Sequence, residues 1–177
     1  MDLAEQALLL RAQTESFGMF TSSHKYASDD LSLMHRTWLG RIYPWAGKYR
    51  TVNFSKNGLP FAAARWIPTQ MNMFSRDILS TLTPCNRMGS DQLAHALAVV
   101  HAEFIAIHPF RDGNGRLARW LASLMAAQSG YEPLVYRSLQ GKGRNRYFRA
   151  VKTGIGKDYI PLEIIWSEVL SRSKRSS

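Results

Sequence analysis

The sequence predicts an all-α fold interrupted by a single β-hairpin. Three observations carry this. Apolar residues recur at helical spacing through most of the 177 positions. One stretch alone, YRTVNFSKNGLPFAAARWIP at 49–68, joins the strand-favouring Thr51, Val52 and Phe54 to Asn57-Gly58, the strongest short hairpin signal. No internal repeat, linker or low-complexity segment divides the chain. Its length suits one domain, 1–177, with a sizeable core.

Taken in order, residues 2–16 repeat Leu and Ala at helical spacing, and Gly18 is placed to end that helix. Within 21–43, Ser28 or Asp29 can cap a second helix carrying Leu31, Met34, Trp38, Leu39 and Ile42. The hairpin is predicted at about 50–63, and Pro60 keeps at least one of its edges open. Helical periodicity resumes over 68–82 and stops near Thr83-Pro84. Ser90 or Asp91 then opens DQLAHALAVVHAEFIAIH, whose nearly all-apolar surface requires a path through the core. Pro109 disfavours helical geometry at His108 and stops that helix. GRLARWLASLMAAQSG forms a further buried helix closed by Gly130, and 142–153 and 160–172 supply two more, the last with Pro161 in its first turn.

Composition excludes several function classes. An apolar content of 45% fits a globular fold, and no apolar run reaches the roughly 18 residues of a membrane span. The N-terminal stretch MDLAEQALLLRAQ carries acids where a secretion signal would carry bases, which suggests a bacterial cytoplasm and leaves delivery into a host cell open. The single Cys85 rules out an internal disulfide and suits a reducing compartment. The net charge of +10 is compatible with an acidic partner or with phosphate-bearing ligands. No zinc-finger spacing, RNA-binding aromatic signature or basic zipper accompanies it, so no direct nucleic-acid binding is expected.

Between the two most apolar helices stands HPFRDGNGR, 108–116. Gly113 and Gly115 accept strained backbone angles, and Asn114 tolerates them, so successive amides in this turn form an anion-binding nest. The nest opens a helix, where unpaired N–H groups and the helix dipole also favour negative charge. Arg116 and Arg119 emerge on neighbouring positions of the first turn, each a planar fork for phosphate oxygens. Asp112 would repel such a ligand unless a divalent cation such as Mg2+ bridges them. His108, at a helix end, is suited to general acid–base work at neutral pH. Phe110 is expected to point inward and anchor the loop. Separately, each piece is commonplace at helix ends and surfaces. Together, nine specified positions match by chance on the order of once in a billion.

The string His108-Pro109-Phe110-Arg111-Asp112-Gly113-Asn114-Gly115-Arg116-Leu117-Ala118-Arg119 resembles the Fic family signature HPFx[DE]GNGRxxR at every defined position. IYPWAGKYRTVNFSK (42–56) and VHAEFIAIH also resemble that family, so the likeness spans roughly 20–165. The resemblance implies a compact helical bundle with a hairpin flap over the site. It implies transfer of AMP from ATP to a Ser, Thr or Tyr hydroxyl of a target protein. In that reading His108 takes the hydroxyl proton and Asp112 holds magnesium. Gly113, Asn114 and Gly115 form the anion hole, with Asn114 also on phosphate, and Arg116 and Arg119 grip the outer phosphates. Lys56 and Phe61 on the flap would meet the target, and Asn145 and Tyr147 would fall near the adenine. Doc toxins of the same superfamily carry Lys where this chain has Gly115, which favours attack at the α-phosphorus here.

Many Fic proteins resemble one another in a brake, a helix bearing [ST]xxxE[GN] whose Glu pairs with the second motif arginine. None of the glutamates at 5, 15, 103, 132, 163 and 168 stands in that pattern. The resemblance then implies a small separate antitoxin carrying the inhibitory Glu, with this chain as the toxin. Two alternatives stay open: another phosphate-type transfer or de-AMPylation on the same fold, and an inactive binding module.

Overall fold

The structure, a computed structural model, describes residues 3–56 and 58–173. Helices α1 (Leu3–Met19) and α2 (Ser28–Leu39) open the chain. A two-stranded antiparallel hairpin follows, β1 (Ser55–Lys56) with β2 (Leu59–Pro60). Helix α3 (Ile67–Met73) runs on through a π-turn at Phe74–Leu79 into the single turn α4 (Ser80–Leu82). Then come α5 (Ser90–Ile107), α6 (Asn114–Gln128), α7 (Arg144–Ile155) and α8 (Ile160–Ser171). The predicted all-α class with one hairpin is the architecture observed.

Helix α5 is the axis. It packs against α6, α7 and α8, while α2 bridges α1 and α6. Its Leu93, Ala96, Leu97, Ala98, Ala102 and Phe104 are all buried, as a helix apolar around most of its circumference must be. Trp38, Trp120 and Trp166 from α2, α6 and α8 fill the largest gaps in this core. The small Ala-rich surface of α5 lets these helices approach it closely. At Gly154 on α7, an added Cβ would lie 2.9 Å from the Ala102 methyl.

Several boundaries differ from the sequence reading. Gly18 does not end α1, because it keeps helical geometry and the helix continues to Met19. The N-cap of α2 is Ala27, whose N–H donates to the Asp30 carboxylate at 2.8 Å, so the acid inside the first turn does the capping. Gly89 caps α5 in the same way, donating to Gln92 Oε1 at 3.2 Å. α7 starts at Arg144 because Gly141–Gly143 forms a 3-10 turn first.

The hairpin is shorter than the 50–63 expected. Its ladder pairs Ser55 with Pro60 and Lys56 with Leu59. Asn57 lies outside the described residues; Gly58 takes φ +73°, the left-handed geometry a tight turn needs. Residues at the base are drawn off to the end of α5 instead. Arg50 N–H donates to Pro109 O at 2.8 Å, and Ala62 N–H to Ala106 O at 3.2 Å. The flap therefore stands directly on the segment that carries His108.

Candidate active site

The HPFRDGNGR segment turns sharply between the end of α5 and the start of α6. His108 is the C-cap of α5 and takes φ +51°, ψ +58°. Left-handed backbone at a non-glycine residue is uncommon and costs roughly 1–2 kcal/mol. It swings the imidazole off the helix line. Phe110 is fully buried and stacks on His35 with ring centres 4.1 Å apart. Such burial contributes about 1.5–3 kcal/mol, enough to offset the strained angles beside it. Asn114 closes the loop: its Oδ1 accepts from Phe110 N–H at 3.0 Å and its Nδ2 donates to Phe110 O at 2.8 Å. Its side chain is thus committed to the loop, and it belongs to the cradle through its backbone.

Gly113 is the N-cap of α6 at φ +82°. A Cβ there would meet the Trp38 ring at 2.8 Å and His35 Nε2 at 3.4 Å. Both backbone angle and space therefore demand glycine. Gly113 O accepts from the amides of Arg116 and Leu117, and Asn114 and Gly115, first in the helix, have no intrahelical acceptor. At Gly115 an added Cβ would meet only Arg119 Nη1, at 3.8 Å. The Arg119 guanidinium thus leans back across the helix mouth, and a side chain at 115 would stand in the space where an anion would lie. Asp112 is exposed and pairs with Arg116 Nη2 at 2.8 Å.

Three residues that the sequence reading passed over hold this loop. His35 is fully buried in α2. Its Nδ1 accepts from Gly47 N–H at 2.8 Å, so the proton sits on Nε2, which donates to Asp112 O at 3.0 Å. Burial pulls its pKa down to about 4, which keeps it in this neutral tautomer. Arg50 is buried, and among the described residues no carboxylate pairs with it. Its Nε donates to His108 O at 2.8 Å, its Nη1 to Val52 O at 2.6 Å, and its Nη2 to Ala62 O at 2.6 Å and Ile107 O at 3.2 Å. The carbonyls at the end of α5, the negative end of the helix dipole, offset its charge. Glu5 of α1 completes the set, 3.0 Å from Arg116 Nη1. Only an exposed-looking charge in a sequence pattern, with no spacing rule, marks any of them.

His108 itself is largely enclosed. Phe61 stacks on its ring at 3.9 Å, and Phe54 lies parallel at 5.7 Å. Burial pulls its pKa down to about 4, aided by the charges of Arg50 and Lys56 and partly opposed by the Ile105 carbonyl and Asp112. At neutral pH it is an uncharged imidazole able to accept a proton. Lys56 is exposed at the flap edge. Asn145 is also exposed, on α7. Tyr147 is turned inward, with its hydroxyl 2.6 Å from His101 Nε2. Its ring is 4% exposed and offers little face to a base. A cavity of about 340 Å³ opens at the flap base, lined by Thr51, Asn53, Ala63, Ala64 and Arg65.

Among the described residues, no cluster of three His, Cys, Asp or Glu side chains could hold a metal. Among the described carboxylates on Arg116, Asp112 is exposed and could serve, whereas Glu5 is buried. A single carboxylate suits magnesium, which takes its other ligands from phosphate and water, and does not suit an all-protein cage.

Residues 25–126 match the model of the Fic/DOC family. The chain belongs to the Fic/DOC family. Over 173 residues it is 27% identical to a probable protein adenylyltransferase Fic of Escherichia coli K12, covering 98% of this chain and 82% of that one. A protein adenylyltransferase fic-1 of Caenorhabditis briggsae is 34% identical over 113 residues, 63% of this chain and 21% of the relative. A protein adenylyltransferase Fic of Nematostella vectensis is 32% identical over 124 residues, 67% of this chain and 27% of the relative. The chain thus spans about a fifth to a quarter of these two animal Fic proteins. In fold it matches the N-terminal Fic domain of Bep8 from Bartonella sp. 1-1C, with a TM-score of 0.75, 16% identity and 94% and 82% of the two chains covered. No described helix of this Fic chain is long and apolar enough to cross a membrane.

Proposed function

We propose that this Fic chain is a protein adenylyltransferase that transfers AMP from ATP to a Ser, Thr or Tyr hydroxyl of a target protein and releases pyrophosphate. The observation that carries the reading is a neutral, enclosed imidazole at His108 followed by an open helix N-terminus with two arginines. Phosphoryl and nucleotidyl transfers require little covalent chemistry from a protein; positioning, charge and one proton acceptor suffice. His108 accepts the hydroxyl proton as the oxygen attacks the α-phosphorus. The backbone of Gly113, Asn114 and Gly115 receives phosphate oxygens, and Arg119, leaning over Gly115, neutralises charge there. Magnesium, held by Asp112, would supply charge compensation between phosphates. Asp112 now pairs with Arg116 Nη2 at 2.8 Å; were it to hold the metal, that nitrogen would be free for a phosphate oxygen. The flap lays Phe61 on His108 and leaves a strand edge open, suited to an extended target segment. Lys56 and Phe61 are its contact points, and Asn145 is offered at the nucleoside end.

Among the described residues, no carboxylate pairs with Arg119. This supports a toxin role in the bacterial cytoplasm, with a separate small antitoxin supplying the inhibitory glutamate. Incubation with a lysate and ATP labelled at either phosphate tests the reaction. Label on protein from the α position alone is expected. Label from the γ position indicates phosphorylation instead, and label from neither overturns both. Coexpression with the neighbouring gene product should yield a complex without transfer activity; no complex and no growth defect on expression would remove the toxin role.

A further inference from the structure

Helix α1 lies outside residues 25–126 that match the family, and no part of the signature involves it. One of its side chains nevertheless reaches the helix mouth. Glu5 is 6% exposed, and both its carboxylate oxygens are engaged. Oε2 accepts from Arg116 Nη1 at 3.0 Å, and Oε1 accepts from the Tyr43 hydroxyl at 2.9 Å. Its backbone carbonyl accepts the Trp38 indole N–H at 2.9 Å. The face of that same indole carries the Arg116 guanidinium, 4.6 Å above the ring centre. Arg116 is thereby fixed on one nitrogen and one face, while its other nitrogen rests on the exposed carboxylate of Asp112.

We propose that Glu5 is a positioning residue: it holds Arg116 at the angle from which Nη2 reaches an incoming phosphate, making α1 part of the nucleotide site. The proposal rests on the adenylyl-transfer reading above. The opposite role, a carboxylate that keeps Arg116 from phosphate, conflicts with the geometry. A brake has to let go, and Glu5 is buried and held at three points, by Arg116, the Tyr43 hydroxyl and, through its backbone carbonyl, the Trp38 indole. The contact built to exchange is the exposed one, Asp112 with Arg116. Glu5 remains in place through the cycle.

The test is Glu5→Gln in the full chain, which preserves shape and removes the charge. Loss of one charge-assisted bond at a desolvated site predicts a KM for magnesium-ATP raised about tenfold, with kcat within about threefold of wild type. Magnesium-ATP binding by calorimetry should weaken by the same factor. In an Arg116→Ala background, Glu5→Gln should change KM less than about twofold, because nothing remains to position. An unchanged KM in Glu5→Gln overturns the proposal. Faster transfer overturns it too and makes Glu5 a restraint. An equal further loss in the Arg116→Ala background shows that Glu5 acts elsewhere, which also overturns it. Should Glu5→Gln not fold, Tyr43→Phe loosens the same carboxylate without touching Arg116; the expected rise in the dissociation constant is about twofold to threefold, and none sinks the idea. A wild type that binds magnesium-ATP but transfers nothing fails the adenylyl-transfer reading alone, since calorimetry still judges Glu5. A wild type that binds no nucleotide overturns both.

Discussion

The backbone at His108 constrains how its role can be tested. Histidine and asparagine are both enriched in left-handed geometry and alanine is not, so His108→Ala mixes lost chemistry with added strain at φ +51°. Asparagine tolerates left-handed geometry. His108→Asn is therefore expected to lower transfer by about 100-fold to 10,000-fold while melting within a few degrees of wild type, with His108→Ala equally inactive but less stable. Paired activity and melting measurements check this. Because burial disfavours the charged ring, the acid limb of kcat/KM should fall near pH 4 rather than near 6.5. A pH–rate profile breaking at 6.5 would mean that His108 is more open to water than its stack on Phe61 implies. Gly113→Ala combines positive φ with a Trp38 carbon 2.8 Å away, and should destabilise the fold by at least about 2 kcal/mol in urea titration.

At the scale of elements, the flap and the end of α5 are one unit joined by Arg50. Arg50→Lys keeps the charge but cannot reach four carbonyls in a planar fork. It should cost about 2–4 kcal/mol, lower transfer and raise proteolysis in 50–63 before elsewhere, as limited digestion would show. The sequence made the elements legible where they are local. The helices follow their own periodicity, and the signature is readable because Asn114 bonds Phe110 and Gly113 caps α6 within a few residues. What holds the signature was not legible. Arg50 meets His108 across 58 positions, His35 meets Asp112 across 77, and Glu5 meets Arg116 across 111. No spacing rule spans such distances. The hairpin was overextended for the same reason: Thr51 and Val52 have strand propensity, but the amide of Arg50 before them is taken by Pro109 O and that of Ala62 on the other arm by Ala106 O.

At the scale of the molecule, the core holds two fully buried neutral histidines, His35 and His101, with pKa values pulled down by burial to about 4 and about 3. In the unfolded chain both take protons near pH 6.5. Between pH 6.5 and 4 the unfolded state therefore binds more protons, and stability present at neutral pH is lost as pH falls. Each contributes roughly 2 kcal/mol of that loss between pH 6.5 and 5, and melting temperature should drop accordingly. His108, likewise pulled down to about 4, titrates over the same range, so His35→Gln should flatten the slope by about a third. Nucleotide binding should respond to metal in the opposite direction from a simple cationic pocket. With Glu5 and Asp112 both on Arg116, removing magnesium with EDTA should weaken ATP binding about tenfold or more, measurable by calorimetry.

The close seat of Gly113 on Trp38, cast against a helix some seventy residues upstream, bears on engineering. Transplanting the twelve signature letters onto another helical scaffold would carry over the ink but not the mould. A designer wanting this cradle elsewhere has to rebuild the tryptophan, the neutral imidazole beside it and the guanidinium strut beneath the hairpin as well.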